Sequence, residues 1–140
     1  MVLNVGERIV ESNDSGFDQT KATIHAGLMD SDSIIQVYNK GIRHILKNKR
    51  ANQWVTEKTI VRATSNTRQV IVAYSGGEIS YFELNNRVQL SETEKLPLDF
   101  EVLSINIGPI PDGRIRSKFL AIGFNDNTVK LFSLDPDSCL

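Results

Sequence analysis

The chain of 140 residues carries 16 Lys and Arg against 17 Asp and Glu, so its formal net charge is −1. This balance excludes bulk electrostatic attraction to nucleic acid or anionic lipid. The sequence also has no apolar run near the ~20 residues that a membrane-spanning helix needs, so no membrane partner is expected. Val, Ile and Thr number 33 against 6 Ala, and this excess of β-branched residues predicts strands.

One pattern repeats along the chain: an apolar strand, a tight polar or glycine turn, and a second strand with alternating apolar residues. It predicts β-hairpins at residues 2–10, 33–46, 69–84 and 118–134. The turns of the last three fall at residues 39–41, 76–77 and 125–127, which are rich in Gly, Asn and Asp. These residue types accept positive φ at little steric cost and are typical of tight hairpins.

Further strands complete this repeat. An extra strand is predicted before three of the hairpins, at residues 23–29, 59–65 and 100–108, and polar outer strands are predicted at 52–56 and 88–96. Residues 41–51 also carry apolar residues at helical spacing, but the repeat places a strand there. Four antiparallel strands over roughly 35–45 residues are the unit of a β-propeller blade.

The sequence therefore predicts an all-β fold, a partial β-propeller of about three to four blades of four antiparallel strands, open rather than closed. The predicted divisions of this single domain (residues 1–140) are a partial blade at 1–21, blades at 22–57 and 58–98, and an incomplete blade at 99–140. The chain is expected to be a slice of a larger propeller, because closure needs at least about four blades.

Signatures of catalysis are missing from the sequence. It contains no G-x-S-x-G elbow, phosphate-binding loop, H-E-x-x-H or C-x-x-C pattern. His25, His44 and Cys139 are its only His and Cys residues, which makes a poor metal-binding set. The sequence thus predicts no enzyme activity, no cofactor and no metal site.

One stretch has electrostatic content: residues 40–50 are basic and contain no acid, and Trp54 follows. A basic segment beside an aromatic residue could contact RNA phosphates and stack a base. A solvated edge strand whose lysines prevent sheet pairing is the alternative, and the sequence favours it. The candidate nucleic-acid or partner contacts, with two arginines of the 109–117 loop, are Lys40, Arg43, His44, Lys47, Lys49, Arg50, Trp54, Arg114 and Arg116.

A collinear series of segments resembles one known family. The segments are residues 14–17, 35–38, 41–45, 68–70, 76–78, 81–83, 116–121, 126–129, 133–136 and 139–140. They are similar to the large propeller subunits of splicing factor 3b, in a family shared with the large subunits of the cleavage–polyadenylation factor and the damaged-DNA-binding complex. The resemblance covers essentially the whole chain.

The resemblance implies a segment of the second of three seven-bladed propellers, in a non-enzymatic nuclear scaffold of the U2 particle. It implies as partners the helical-repeat subunit and the small subunits of splicing factor 3b, with any RNA contact indirect. The resulting hypothesis is a scaffold fragment that supports pre-mRNA splicing through protein–protein contacts. The alternatives are a nucleic-acid-binding propeller segment, or an adaptor of the cleavage–polyadenylation or DNA-damage branch.

Overall fold

The computed structural model describes residues 16–48, 50–85 and 89–134, and all regular secondary structure within them is β. The strands in chain order are β1 (Thr23–Met29), β2 (Ser33–Tyr38), β3 (Gly41–Ile45), β4 (Ala51–Val55), β5 (Ile60–Ser65), β6 (Gln69–Tyr74), β7 (Glu78–Leu84), β8 (Leu90–Pro97), β9 (Val102–Ile107), β10 (Phe119–Phe124) and β11 (Val129–Ser133). The hairpin predicted at residues 2–10 lies outside the described residues. Within the described part of the chain, no helix is long and apolar enough to cross a membrane.

The strands form three antiparallel sheets. Sheet one is ordered β1-β2-β3-β4, sheet two β5-β6-β7-β8, and sheet three β11-β10-β9. Each sheet is a simple meander, and none of them closes on itself over the described residues. The predicted all-β, open partial propeller is therefore confirmed, as is a strand instead of a helix after residue 40.

An Asx turn forms the bend between β1 and β2 in sheet one, and a second Asx turn forms the bend between β5 and β6 in sheet two. The Asp30 Oδ1 accepts hydrogen bonds from the backbone N–H groups of residues 32 and 33, at 2.8 and 3.1 Å. Likewise the Asn66 Oδ1 accepts from the N–H groups of residues 68 and 69, at 3.0 and 2.8 Å. Side chains of this type stabilise turns by such bonds. At the β6–β7 turn, Gly76 and Gly77 have φ of 100° and 95°, which only glycine adopts easily.

Two apolar seams hold the sheets together. The first seam lies between sheets one and two and buries Met29, Ile35, Val37, Ile42, Ile60, Val70, Val72, Tyr74, Phe82, Leu84 and Leu90. The second seam lies between sheets two and three and buries Ile71, Ala73, Ile79, Val102, Ile107, Leu120, Ile122, Phe124 and Leu134. Strand β6 is buried along its whole length because its alternate side chains enter the two seams in turn.

The first strand of each sheet also contacts the first strand of the next. His25 Nε2 lies 2.7 Å from Ser65 Oγ, which joins β1 to β5. Arg62 Nε donates to the Leu103 carbonyl at 2.8 Å, which joins β5 to β9. The three sheets are therefore arranged in a series with their first strands adjacent, as in neighbouring propeller blades.

The two outermost faces of this series differ. On sheet one, residues 16–21, which we name the first strap, lie across the face that points away from sheet two. On sheet three the corresponding face exposes Phe119, Val129 and Leu131, and Val129 is 73% exposed. One end of the series is thus covered by the chain itself, whereas the other presents apolar side chains.

Candidate functional site

The basic stretch after β2 does not form one continuous exposed surface. Lys40 is exposed in the β2–β3 turn, and its Nζ donates to the Glu57 carbonyl at 3.2 Å. Arg43 is half-buried on β3, where its Nε donates to the Gly16 carbonyl at 2.8 Å and its Nη1 to Gln53 Oε1 at 3.3 Å. The Arg43 guanidinium therefore fastens the first strap to sheet one.

His44 is buried in the first seam and does not reach the surface. Its side chain is 0% exposed, and its Nε2 lies 2.9 Å from Ser33 Oγ. Its Nδ1 has no hydrogen-bond partner among the described residues. Burial lowers the pKa of His44, although the nearby Asp30 carboxylate opposes this effect. Burial thus favours the neutral imidazole, and the His44 side chain has no exposed surface for a partner to contact.

Trp54 is half-buried against the same seam. Its ring packs edge-on against Phe82, with the ring centroids 6.2 Å apart and an interplanar angle of 71°. This geometry is favourable for aromatic pairs. The indole is therefore part of the packing between sheets one and two, which limits its use as a stacking platform for a base.

The remaining sequence-predicted residues separate into two places. Lys47 and Arg50 are both exposed in the β3–β4 connection, whereas Lys49 lies outside the described residues. Arg114 is exposed in the segment 109–118, which we name the second strap, and its backbone N–H donates to the Pro111 carbonyl at 3.0 Å. The structure thus leaves Lys47 and Arg50 exposed in one connection and Arg114 exposed in the second strap, whereas Arg116 of that strap is half-buried.

Arg116 takes part in a network at the second seam. Its Nη2 lies 2.7 Å from Glu83 Oε1, and Tyr81 donates its hydroxyl to Glu83 Oε2 at 2.9 Å. The hydrogen bond to Glu83 raises the pKa of Arg116, and burial raises the pKa of Tyr81. Gln69 completes the network by donating from Nε2 to the Tyr81 hydroxyl at 2.7 Å. Arg116 therefore attaches the second strap to sheet two.

Two buried glutamines, which were not among the residues predicted from the sequence, bind the backbone of the straps through their side-chain amides. Gln69 accepts from the Ser117 N–H at 2.6 Å, and its Nε2 lies 3.4 Å from the Ser117 carbonyl. Gln36 does the same for the first strap, accepting from the Asp18 N–H at 2.8 Å and donating to the Asp18 carbonyl at 3.1 Å. A lone amide inside an apolar strand is a signal for such a bond, because buried polar groups are almost always paired.

The described residues enclose a small apolar cavity, and their potential metal-binding side chains are not clustered. Between sheets two and three lies an apolar cavity of about 20 Å³ lined in part by Ile71, Tyr81 and Leu120. In the described ranges, no group of three or more His, Cys, Asp or Glu side chains is placed to hold a metal ion.

Comparison with known proteins gives a family for this arrangement. The family model of the RSE1/DDB1/CPSF1 second β-propeller matches residues 1–140. The chain is 46% identical over 142 residues to spliceosome-associated protein 130 A of Arabidopsis thaliana, and 46% identical over 143 residues to splicing factor 3B subunit 3 of Danio rerio. It is 43% identical over 143 residues to pre-mRNA-splicing factor rse1 of Emericella nidulans. Each alignment covers the whole chain but only 12% of the relative.

A solved structure supports the fold independently of sequence. The crystal structure of BBS1N in complex with ARL6DN superposes with a TM-score of 0.61, at 15% identity, over 81% of this chain and 34% of that one. Such low identity bears on the fold alone. Together with the match along its full length, the three-sheet series means that the chain belongs to the RSE1/DDB1/CPSF1 second β-propeller family.

Proposed function

We propose that the chain is a scaffold segment of a splicing-factor 3b large propeller subunit and supports pre-mRNA splicing by protein–protein contacts. The observation that carries this proposal is its 46% identity, over its full length, to splicing factor 3B subunit 3. The proposed partners are the helical-repeat and small subunits of splicing factor 3b within the U2 particle, and the proposed location is the nucleus.

The use of polar side chains in the fold supports a role in contact and not in chemistry. Gln36, Gln69 and Arg116 are all engaged in holding extended segments against sheets. His44 is buried with Ser33 Oγ 2.9 Å from its Nε2, and among the described residues no acidic side chain lies within hydrogen-bond distance of it. We propose that the chain is non-enzymatic and that its blades divide at residues 1–21, 22–57, 58–98 and 99–140.

Affinity purification of the full-length protein that contains this chain tests the proposal. Nuclear extract from cells expressing the tagged protein is expected to yield the helical-repeat subunit of splicing factor 3b and U2 RNA. A tagged unrelated propeller protein serves as the control. Recovery of ubiquitin-ligase or cleavage–polyadenylation subunits instead would assign the protein to another branch of the family and overturn the splicing proposal.

Direct nucleic-acid binding is the second candidate, and the exposure of Lys47 and Arg50 favours it. Burial of His44 and the packing of Trp54 against Phe82 limit base stacking at this place. If the candidate is correct, RNA affinity falls with salt, and neutralising both residues reduces the slope of log affinity against log salt by about 1.4, which is about 0.7 per phosphate contact on a single strand. Unchanged affinity of the Lys47→Gln/Arg50→Gln variant for single-stranded RNA would contradict it, with Lys118→Gln/Lys130→Gln as the control variant.

A further inference from the structure

Strand β4 is the last strand of sheet one, and one of its two edges has no strand beside it among the described residues. Two hydrogen bonds fix its alignment on the paired edge. The Leu46 N–H donates to the Arg50 carbonyl and the Thr56 N–H donates to the Lys40 carbonyl, each at 2.8 Å. Both bonds belong to the same uninterrupted antiparallel register that joins β3 to β4.

This register decides which backbone groups point away from the sheet. Hydrogen-bonded and non-hydrogen-bonded pairs alternate along an antiparallel ladder. Asn52 and Trp54 therefore bond to β3, while Ala51, Gln53 and Val55 direct their N–H and C=O groups toward the free edge. These three alternate residues therefore present unpaired N–H and C=O groups to which another strand could bond.

The outer strand of sheet two, β8, is protected against such pairing, unlike β4. By the same alternation, Glu92, Lys95 and Pro97 point their backbone outward from β8. The register of β8 shifts opposite Tyr81 and Phe82, as at a β-bulge. Charges, a bulge and a proline, which has no N–H to donate, are the devices that block edge pairing.

Strand β4 has none of these devices. Its register with β3 is regular, and its sequence from Ala51 to Val55 contains neither a charged residue nor a proline. Val55 leaves 78% of its surface exposed. The chain continues from β11 into residues 135–140, which lie outside the described part of the chain.

The surroundings of β4 favour one kind of partner. Exposed Lys47 and Arg50 lie at the end where β4 begins, while Glu57 and Lys58 at the other end carry opposite charges. An antiparallel partner strand has its C-terminal end beside Arg50, so acidic residues there would be complementary in charge. Antiparallel pairing is also slightly more stable per residue than parallel pairing.

We propose that the free edge of β4 is a strand-addition site for an extended segment of a partner protein. The segment pairs antiparallel with the outward groups of Ala51, Gln53 and Val55, places an apolar side chain beside Val55, and carries carboxylates at its C-terminal end. Main-chain hydrogen bonds give affinity in this mode, and the flanking side chains give specificity. The inference rests on the proposed scaffold role, for which it names a contact surface.

Hydrogen exchange of the full chain tests this site with a defined probe. The probe is a short peptide, blocked at both ends, with alternating Thr and Val followed by two Glu. Binding is expected to slow amide exchange at Ala51, Gln53 and Val55 by about tenfold or more, while Asn52 and Trp54, already bonded to β3, change little. N-methylation of the peptide amides that face β4 should abolish this protection, whereas N-methylation of the alternate amides should leave it intact.

Two proline variants provide a matched comparison. Val55→Pro removes one outward N–H and no bond to β3, and it should weaken peptide binding at least about tenfold. Lys95→Pro makes the same change on the edge of β8 and should leave binding unchanged. Equal binding by both variants, or insensitivity to the position of the N-methyl groups, would overturn the proposal.

Self-association is the remaining outcome that bears on the site. If Ala51, Gln53 and Val55 become protected with rising chain concentration and no peptide, the occupant is a second copy of the chain and the proposal is wrong. Peptide binding is measured on the chain alone, so its failure leaves the purification test of the splicing role unaffected. Conversely, strand addition can be observed even if the full-length protein belongs to another branch of the family.

Discussion

The two seams use matching positions of successive sheets, yet they are built differently. His44 lies directly opposite Ile35 in the β2–β3 hairpin of sheet one, and Tyr81 lies directly opposite Ile71 in the β6–β7 hairpin of sheet two. In the first seam the surroundings are mainly apolar, with Phe82 and Trp54 in contact. In the second seam the corresponding tyrosine belongs to a polar network that reaches the second strap.

The difference shows what the repeat requires and what it leaves free. Both seams need an apolar centre, since burial of apolar area supplies most of the stabilisation. Residues at the ends of the strands lie outside this apolar centre and can be polar. In the second seam Gln69, at the start of β6, accepts a hydrogen bond from the buried Ser117 N–H of the second strap, which would otherwise lack a partner.

The largest expected effect comes from breaking the apolar seam. Phe82→Ala removes a ring that is 1% exposed and contacts Trp54, so the free energy of unfolding should fall by about 3–5 kcal/mol. Urea unfolding followed by the fluorescence of Trp54, the single tryptophan, measures this. Phe100→Ala is the control: Phe100 is 43% exposed and should cost much less. Similar losses in both variants would contradict the assignment of Phe82 to the centre of the seam.

A smaller loss is expected from releasing the second strap. Gln69→Leu leaves the buried Ser117 N–H without its acceptor, which should cost about 1–3 kcal/mol of unfolding free energy. Gln36→Leu releases the Asp18 N–H, which lies closer to solvent and can bond to water, so it should cost less. Urea denaturation of both variants makes the comparison. A larger loss for Gln36→Leu would reverse the proposed ranking of the straps.

The ion pair between Arg116 and Glu83 should contribute less again. Both side chains keep some exposure, 29% and 17%, so a double-mutant cycle with Arg116→Met and Glu83→Gln should give a coupling of about 1 kcal/mol or less. The more exposed pair of Lys58 and Glu78, at 3.4 Å, should give a coupling close to zero. Equal coupling energies would mean that burial at the second seam adds nothing to the pair.

The most gradual effect is a pH dependence of the first seam. Burial lowers the pKa of His44, so the unfolded chain binds more protons, and stability should fall as pH drops below about 6.5. His44→Gln should flatten the dependence of the unfolding free energy on pH between 7.5 and 5.5. His25, whose pKa burial also lowers, accounts for the dependence that remains. An unchanged pH profile in His44→Gln would contradict this assignment.

Apolar alternation and turn residues predicted the strands well, because both patterns reflect interactions between residues that are close in sequence. The strand at 23–29 is found with the predicted bounds, and Gly76–Gly77 marks the β6–β7 turn where positive φ is needed. At residues 41–45 the sequence alone was ambiguous, since Ile42 and Ile45 also fit a helix. The repeat resolved this, because a strand was needed to complete sheet one.

The positions of the polar side chains could not be predicted in this way. His44 and Trp54 were grouped with the neighbouring lysines because they are close in sequence, but the alternation of the strands places them in the first seam. Gln36 and Gln69 were overlooked since their partners lie 18 and 48 residues away along the chain. These bonds reach the two straps, and the strand pattern does not predict the path of a strap across a sheet.

Strand β6 contributes buried side chains to both seams. Val70 and Val72 face one seam, and Ile71 and Ala73 face the other. A slip of one residue in its pairing would exchange these two sets of side chains and misplace the buried surface on both sides at once. The register of β6 is therefore specified twice over, and the two seams should be gained and lost together as one cooperative unit.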